Sequence, residues 1–154
     1  MNMRLIISFL SLLVFSSAFS QEDGGKMTNV KMWKILKEDI DDLQGDMGNW
    51  RFVLRERPIM IITDVGANRM RIMSPIVEEK ELDDGHFKAM LEANFDRALD
   101  AKYATFNAVV WSVFTHPLEE LTTSQFKDAL EQVITLSENF GGSYTSTDFV
   151  FGGN

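Results

Sequence analysis

The apolar residues change period along the chain, and that change limits the fold more than any motif does. Val30, Trp33, Leu36, Ile40 and Leu43 recur three and four apart, the spacing of one helical face. Thr28 or Asn29 can cap this helix, and Lys31, Lys34, Lys37, Glu38, Asp41 and Asp42 fill its other positions. After Gly45, a natural helix stop, the period falls to two. Trp50, Phe52 and Leu54 alternate with Arg51, Val53 and Arg55. Strands at 59–65 and 69–76 follow, parted by turns at 56–58 and 66–68. Short links between three strands predict an antiparallel meander.

The helical period then returns. Asp83 or Asp84 can cap a second helix carrying Phe87, Met90, Leu91 and Phe95. Two more strands, 103–106 and 109–116, flank a turn at Asn107 and Ala108. The last helix has the clearest local start. Thr122 and Gln125 form a T-x-x-Q capping box, and Leu121 and Phe126 sit where a hydrophobic staple closes over it. Phe126, Ala129, Leu130, Val133, Ile134, Ser137 and Phe140 mark its stripe, and Gly141 and Gly142 end it. The expectation is an α+β fold with an antiparallel five-stranded sheet and three helices, in the order α-β-β-β-α-β-β-α.

The chain ends read differently. Arg4, an apolar run from Leu5 to Phe15, and small residues Ala18 and Ser20 have the layout of a secretory signal peptide over residues 1–20. The apolar run is shorter than the roughly 20 residues that span a bilayer. Cleavage then leaves no membrane span and predicts a periplasmic or secreted location. Residues 21–27 are expected to be a flexible N-terminus and 28–142 a single domain. A flexible tail over 143–154 carries Tyr144, Phe149 and Phe151. No cysteine is present, so stability must come from packing.

Charge and chemistry narrow the function. Removing Arg4 from the 15 basic residues leaves 14 against 23 acidic ones, a net charge of -9. Such a surface repels phosphate backbones and disfavours nucleic acid. His86 and His116 lack the ligand spacing of zinc sites, and the serines sit in no nucleophile elbow. No enzyme activity, metal or cofactor is therefore expected. Asp64, Arg69 and Arg71 flank the second hairpin turn and are candidates for a polar ligand, although a cross-strand ion pair is the commoner use of such a set. The strands at 59–65 and 109–116 carry large residues on both faces, so both faces of the sheet need cover. If the helices lie on one face, the other must meet a partner. Trp33, Phe52, Met60, Ile62, Met73 and Phe114 are the candidate partner contacts.

Several segments carry a resemblance. Residues 68–76 (NRMRIMSPI), 91–95 (LEANF), 99–104 (LDAKYA) and 111–114 (WSVF) leading into His116-Pro117-Leu118 look like the type III secretion chaperone-like group. That group includes Tir-type secretion chaperones and YbjN-like proteins. The resemblance implies a non-enzymatic, often homodimeric protein that holds partner polypeptide against apolar patches of helix and sheet. It supplies no catalytic residues. Classical members are cytosolic, whereas a signal predicts export. The leading expectation is thus an exported protein-binding or chaperone-like module. The alternative is a small-ligand or ion-binding envelope protein, and a hydrolase comes last.

Overall fold

The computed structural model describes residues 25–147. The expected signal peptide and the aromatic end of the tail, Phe149 and Phe151, lie outside the described residues. Helix α1 spans Asn29–Asp39, and the Thr28 hydroxyl caps it by accepting from Lys31 N at 3.2 Å. The chain then forms β1 (Gln44–Asp46), β2 (Asn49–Leu54), β3 (Arg57–Asp64) and β4 (Arg69–Glu78). A 3-10 turn at Glu79–Glu81 leads to α2 (Asp84–Asp96). Strands β5 (Lys102–Phe106) and β6 (Val109–His116) precede α3 (Thr123–Glu138). The capping box of Thr122 and Gln125 is present in both directions.

Two local corrections follow from backbone geometry. Among the described residues the sheet has six strands, not five, because Gly45 lies within β1 rather than ending a helix. Its φ of +98° and the 2.1 Å from an ideal Cβ position to Asn49 O both require glycine. A three-residue strand with no buried side chain has no hydrophobic period to reveal it. The β2–β3 turn is Arg55–Glu56, both at positive φ (47° and 61°), as a two-residue hairpin turn demands. Arg57 and Pro58 therefore belong to β3, opposite Leu54 and Val53.

The strands run in the order β1-β2-β3-β4-β6-β5, all antiparallel. Register decides which residues share a face. Trp50 pairs with Ile61, Ile61 with Ile72, and Ile72 with Phe114. All four are buried, as are Phe52 and Ile59 in the next row. They form one core with Met32 and Leu36 of α1, Met90 and Ala93 of α2, and Phe126, Val133 and Ile134 of α3. The three helices thus contribute to a single core on one side of the sheet. The expected stripes of α1 and α2 are rotated. Met32, Ile35 and Leu36 face the core from α1, while Val30 and Trp33 are exposed. From α2, Met90 and Ala93 are buried, while Leu91 and Phe95 are exposed.

Polar side chains tie the layers together. The Gln132 amide on α3 accepts from Asp100 N (2.9 Å) and Ala101 N (3.1 Å) and donates to Asp128 (2.6 Å). Asn94 on α2 closes the edge of β5 by bonding both Tyr103 N (2.8 Å) and Tyr103 O (3.0 Å). The Tyr103 hydroxyl donates to Leu136 O at 2.8 Å, and burial pushes its pKa far up. The domain also extends past its expected limits. Met27 is fully buried and donates its N–H to Glu119 O. Tyr144 packs edge-on to Tyr103 and Phe140, and Ser146 accepts from Leu99 N. Met27, Tyr144 and Ser146, just outside 28–142, are thus packed or bonded to the domain.

Ser74 and Ser112 face each other on the covered side of β4 and β6, the strands against which α3 packs. Both hydroxyls are buried without a partner among the described residues. Their small size admits the helix. Ser112→Ala should hold or raise stability by up to about 1 kcal/mol, since an unsatisfied hydroxyl is removed. Ser112→Leu should cost about 1–3 kcal/mol by overpacking. Urea denaturation reads both, and a substantial loss in the alanine variant would show that the hydroxyl is bonded after all.

Asp83 caps α2. The His86 backbone N–H at 3.0 Å, and then its ring at 2.7 Å, hold the Asp83 carboxyl below its ordinary value. A depressed carboxyl stabilises the fold above its unfolded pKa and loses that contribution as pH falls through the folded value. The melting-temperature gap between the native chain and Asp83→Ala should therefore narrow from pH 7 to about pH 3. An unchanged gap would exclude this linkage.

Candidate functional site

The face of the sheet opposite the helices carries no described element over it. Its side chains follow from the same register. One row runs Arg51, Met60, Met73, Val113 across β2, β3, β4 and β6. A second runs Asn49, Ile62, Arg71, Thr115. A third runs Pro75, Trp111, Ala104 across β4, β6 and β5. Met60, Met73, Trp111 and Val113 are half-buried by their neighbours alone, and Ile62 is 38% exposed. The Trp111 indole donates to Phe106 O at 3.1 Å, which holds the ring down along the sheet. Strands in a sheet covered on both faces read as continuous apolar runs. Here β3 and β6 read that way, yet one side is open.

The expected partner contacts divide between the two sides. Met60, Ile62 and Met73 share the open face, and Met60 lies directly opposite Met73. Phe52 and Phe114 are each 5% exposed and belong to the core, so they are not available as contacts. Their parity is that of Trp50 and Ile72, which the helices cover. Trp33 is exposed on α1, outside the sheet. Sequence reading missed Arg51, Trp111 and Val113 as members of the face. The β4–β6 pairing that aligns Val113 with Met73 joins segments separated by a whole helix, and no local signal encodes it.

The expected ligand set does come together. Asp64 and Arg69 are a direct cross-strand pair, and Arg71 lies two residues along on the same side. With Ile62 and Thr115 they line a groove of about 420 Å³. Asp64 accepts from Ala67 N at 2.9 Å and so holds the turn rather than an arginine. Arg69 Nη1 donates to Asn68 O at 2.8 Å, and Arg71 Nε reaches Thr115 Oγ1 at 3.4 Å. The groove is continuous with the methionine row and is part of the open face.

Other polar groups are used locally. Lys102 donates to the carbonyls of Asn94 (2.7 Å) and Ala98 (2.8 Å) at the end of α2, and burial lowers its pKa. His86 pairs with Asp83, and His116 Nδ1 lies 2.7 Å from Pro117 O. Among the described residues no group of three or more His, Cys, Asp or Glu side chains is placed to hold a metal ion. None of the described helices is long and apolar enough to cross a membrane. A second apolar patch lies on α2, where Phe95 is 91% and Leu91 71% exposed.

This fold is found among proteins of type III secretion. A chain of the HopA1–SchA chaperone–effector complex superposes with a TM-score of 0.55 at 10% identity, covering 70% of this chain and 87% of that one. A chain of the ExsC–ExsE complex gives 0.56 at 15% identity, over 73% and 92%. The structure of the Yersinia pestis type III secretion chaperone SycH in complex with a stable fragment of YscM2 gives 0.55 at 8% identity, over 74% and 100%. The chain therefore has the α+β fold of the secretion chaperones. No family model matches its sequence, and no curated protein matches it. The periplasmic or secreted location expected from residues 1–20 is corrected by these comparisons: the structures that share this fold are of type III secretion chaperones, a cytoplasmic kind of protein.

The division of the two faces is testable. Ile62→Ser should change stability by no more than about 1 kcal/mol, as surface substitutions do. Phe52→Ala and Phe114→Ala should each cost about 3–5 kcal/mol. Similar costs at all three positions, measured by chemical denaturation, would mean that both sides of the sheet are covered.

Proposed function

We infer that this chain is a non-enzymatic, chaperone-like module that binds a polypeptide partner on the open face of its sheet. The observation that carries this reading is the row of Met60, Met73 and Val113, left uncovered in a domain whose helices all serve the other side. Methionine suits such a surface, because its flexible, polarizable side chain adapts to different partners. The fold likeness supports the reading, since the similar structures include a chaperone–effector complex and a chaperone with a bound fragment. The resemblance of segments between residues 68 and 118 to the type III secretion chaperone-like group, which includes YbjN-like proteins, supports it as well.

A homodimer fits alongside. Leu91 and Phe95 stand in water on α2, and burying each would contribute about 1.5–3 kcal/mol. A second copy covering α2 would leave the sheet free for the partner. The small-ligand reading of Asp64, Arg69 and Arg71 is less well supported. Their groove is part of the open face, and Asp64 and Arg69 already bond to the backbone of the turn beside it.

Two measurements separate these surfaces. Light scattering should give a dimer for the native chain and a monomer for Phe95→Asp. Binding of an unfolded model polypeptide, read by fluorescence anisotropy, should be lost in Met60→Glu and Met73→Glu and kept in Phe95→Asp. Polypeptide binding that survives both methionine substitutions would overturn the assignment of the face.

A further inference from the structure

The open face gathers arginines on a molecule of net negative charge. The chain has 23 acidic against 15 basic residues. Yet Arg51 on β2 and Arg69 and Arg71 on β4 all rise from this face, and all three are exposed. None of them pairs with a carboxylate among the described residues. Of the other described arginines, Arg55 pairs with Glu131 (3.2 Å) and Glu138 (3.6 Å) and Arg97 with Asp96 (2.9 Å), while Arg57, on the covered side of β3, makes no ion pair among the described residues. The carboxylates on the same face, Asp46 and Asp64, form no ion pair with them, and Asp64 accepts from Ala67 N in the turn. A protein rich in carboxylates thus keeps three guanidinium groups out of ion pairs beside its uncovered apolar row.

The register sets charge and apolar groups side by side. Arg51 is next to Met60, and Met60 is next to Met73. In the adjoining row Ile62 is next to Arg71. Arginine is suited to such a border, because its stem packs on apolar surface while the planar head binds carboxylate bidentately. We propose that the open face selects a partner segment bearing both carboxylates and large apolar side chains, with Arg51, Arg69 and Arg71 holding the carboxylates and Met60, Ile62 and Met73 the apolar groups. This rests on the reading of the face as the polypeptide-binding surface. The acidic remainder of the molecule repels such a segment from other sites, so charge chooses place as well as partner.

Three fluorescein-labelled peptides with identical apolar residues and Glu, Gln or Lys at the remaining positions test this, titrated with the full chain. The Glu peptide should bind on the order of tenfold tighter than the Gln peptide, the effect of a few exposed charge pairs. The advantage should vanish in about 0.5 M salt and in Arg51→Gln/Arg71→Gln. It should pass to the Lys peptide in Arg51→Glu/Arg71→Glu. Equal binding of the Glu and Gln peptides, abolished for both by Met73→Glu, would overturn the selection for acid while leaving the binding face in place. Binding of no peptide, or binding indifferent to Met73→Glu, would remove the face itself and this inference with it.

Discussion

The packing of α3 across β4 and β6 is the contact on which the other features depend. These two inner strands meet although a helix and a strand separate them in sequence, and Ser74 opposite Ser112 keeps their covered side low enough for a helix to approach. Once α3 is seated there, Phe126, Val133 and Ile134 fill the middle of the core. The flanking helices then complete it, α1 with Met32 and Leu36 and α2 with Met90 and Ala93. Two uncompensated hydroxyls are the cost of that approach, and the apolar area buried around them offsets it.

Placing every helix on one side has a consequence for the other. A sheet has two faces, and β3 and β6 carry large residues toward both. The uncovered side is not a polar, solvent-facing surface of the usual antiparallel kind. It holds Met60, Met73, Trp111 and Val113, edged by arginines without carboxylate partners. The sheet's free edges, in contrast, are guarded. Strand β1 is only three residues long, and Asn94 occupies the outer backbone groups of Tyr103 on β5. Adhesiveness is thus directed to the face rather than to edge-to-edge pairing.

Much of this was legible in the chain, and the misses share a cause. Thr122–Gln125 identified the start of α3 because a capping box is a contact between residues three apart. The α3 stripe was legible because its apolar positions fit one helical face without a rival. In α1 two stripes were available, Val30 and Trp33 with Leu36 or Met32 and Ile35 with Leu36, and only the docked position of the helix chose the second. The same ambiguity put Leu91 and Phe95 in the expected core. Strand β1 had no apolar period to read, and Met27 and Tyr144 were hidden among polar neighbours.

The candidate site divides in the same way. Local sequence determined that β3 and β6 would be apolar on both faces, that Asp64, Arg69 and Arg71 would cluster at a hairpin turn, and that the fold would be α+β with three helices. Those properties depend on residues close in the chain, through period, turn geometry and short-range pairing. Tertiary structure alone decided that the helices take the side of Phe52 and Phe114 and leave that of Met60 and Met73. Either face of a two-sided apolar strand can bury against a helix, and the choice is made by the non-local register of β4 with β6 and the seat it offers to α3.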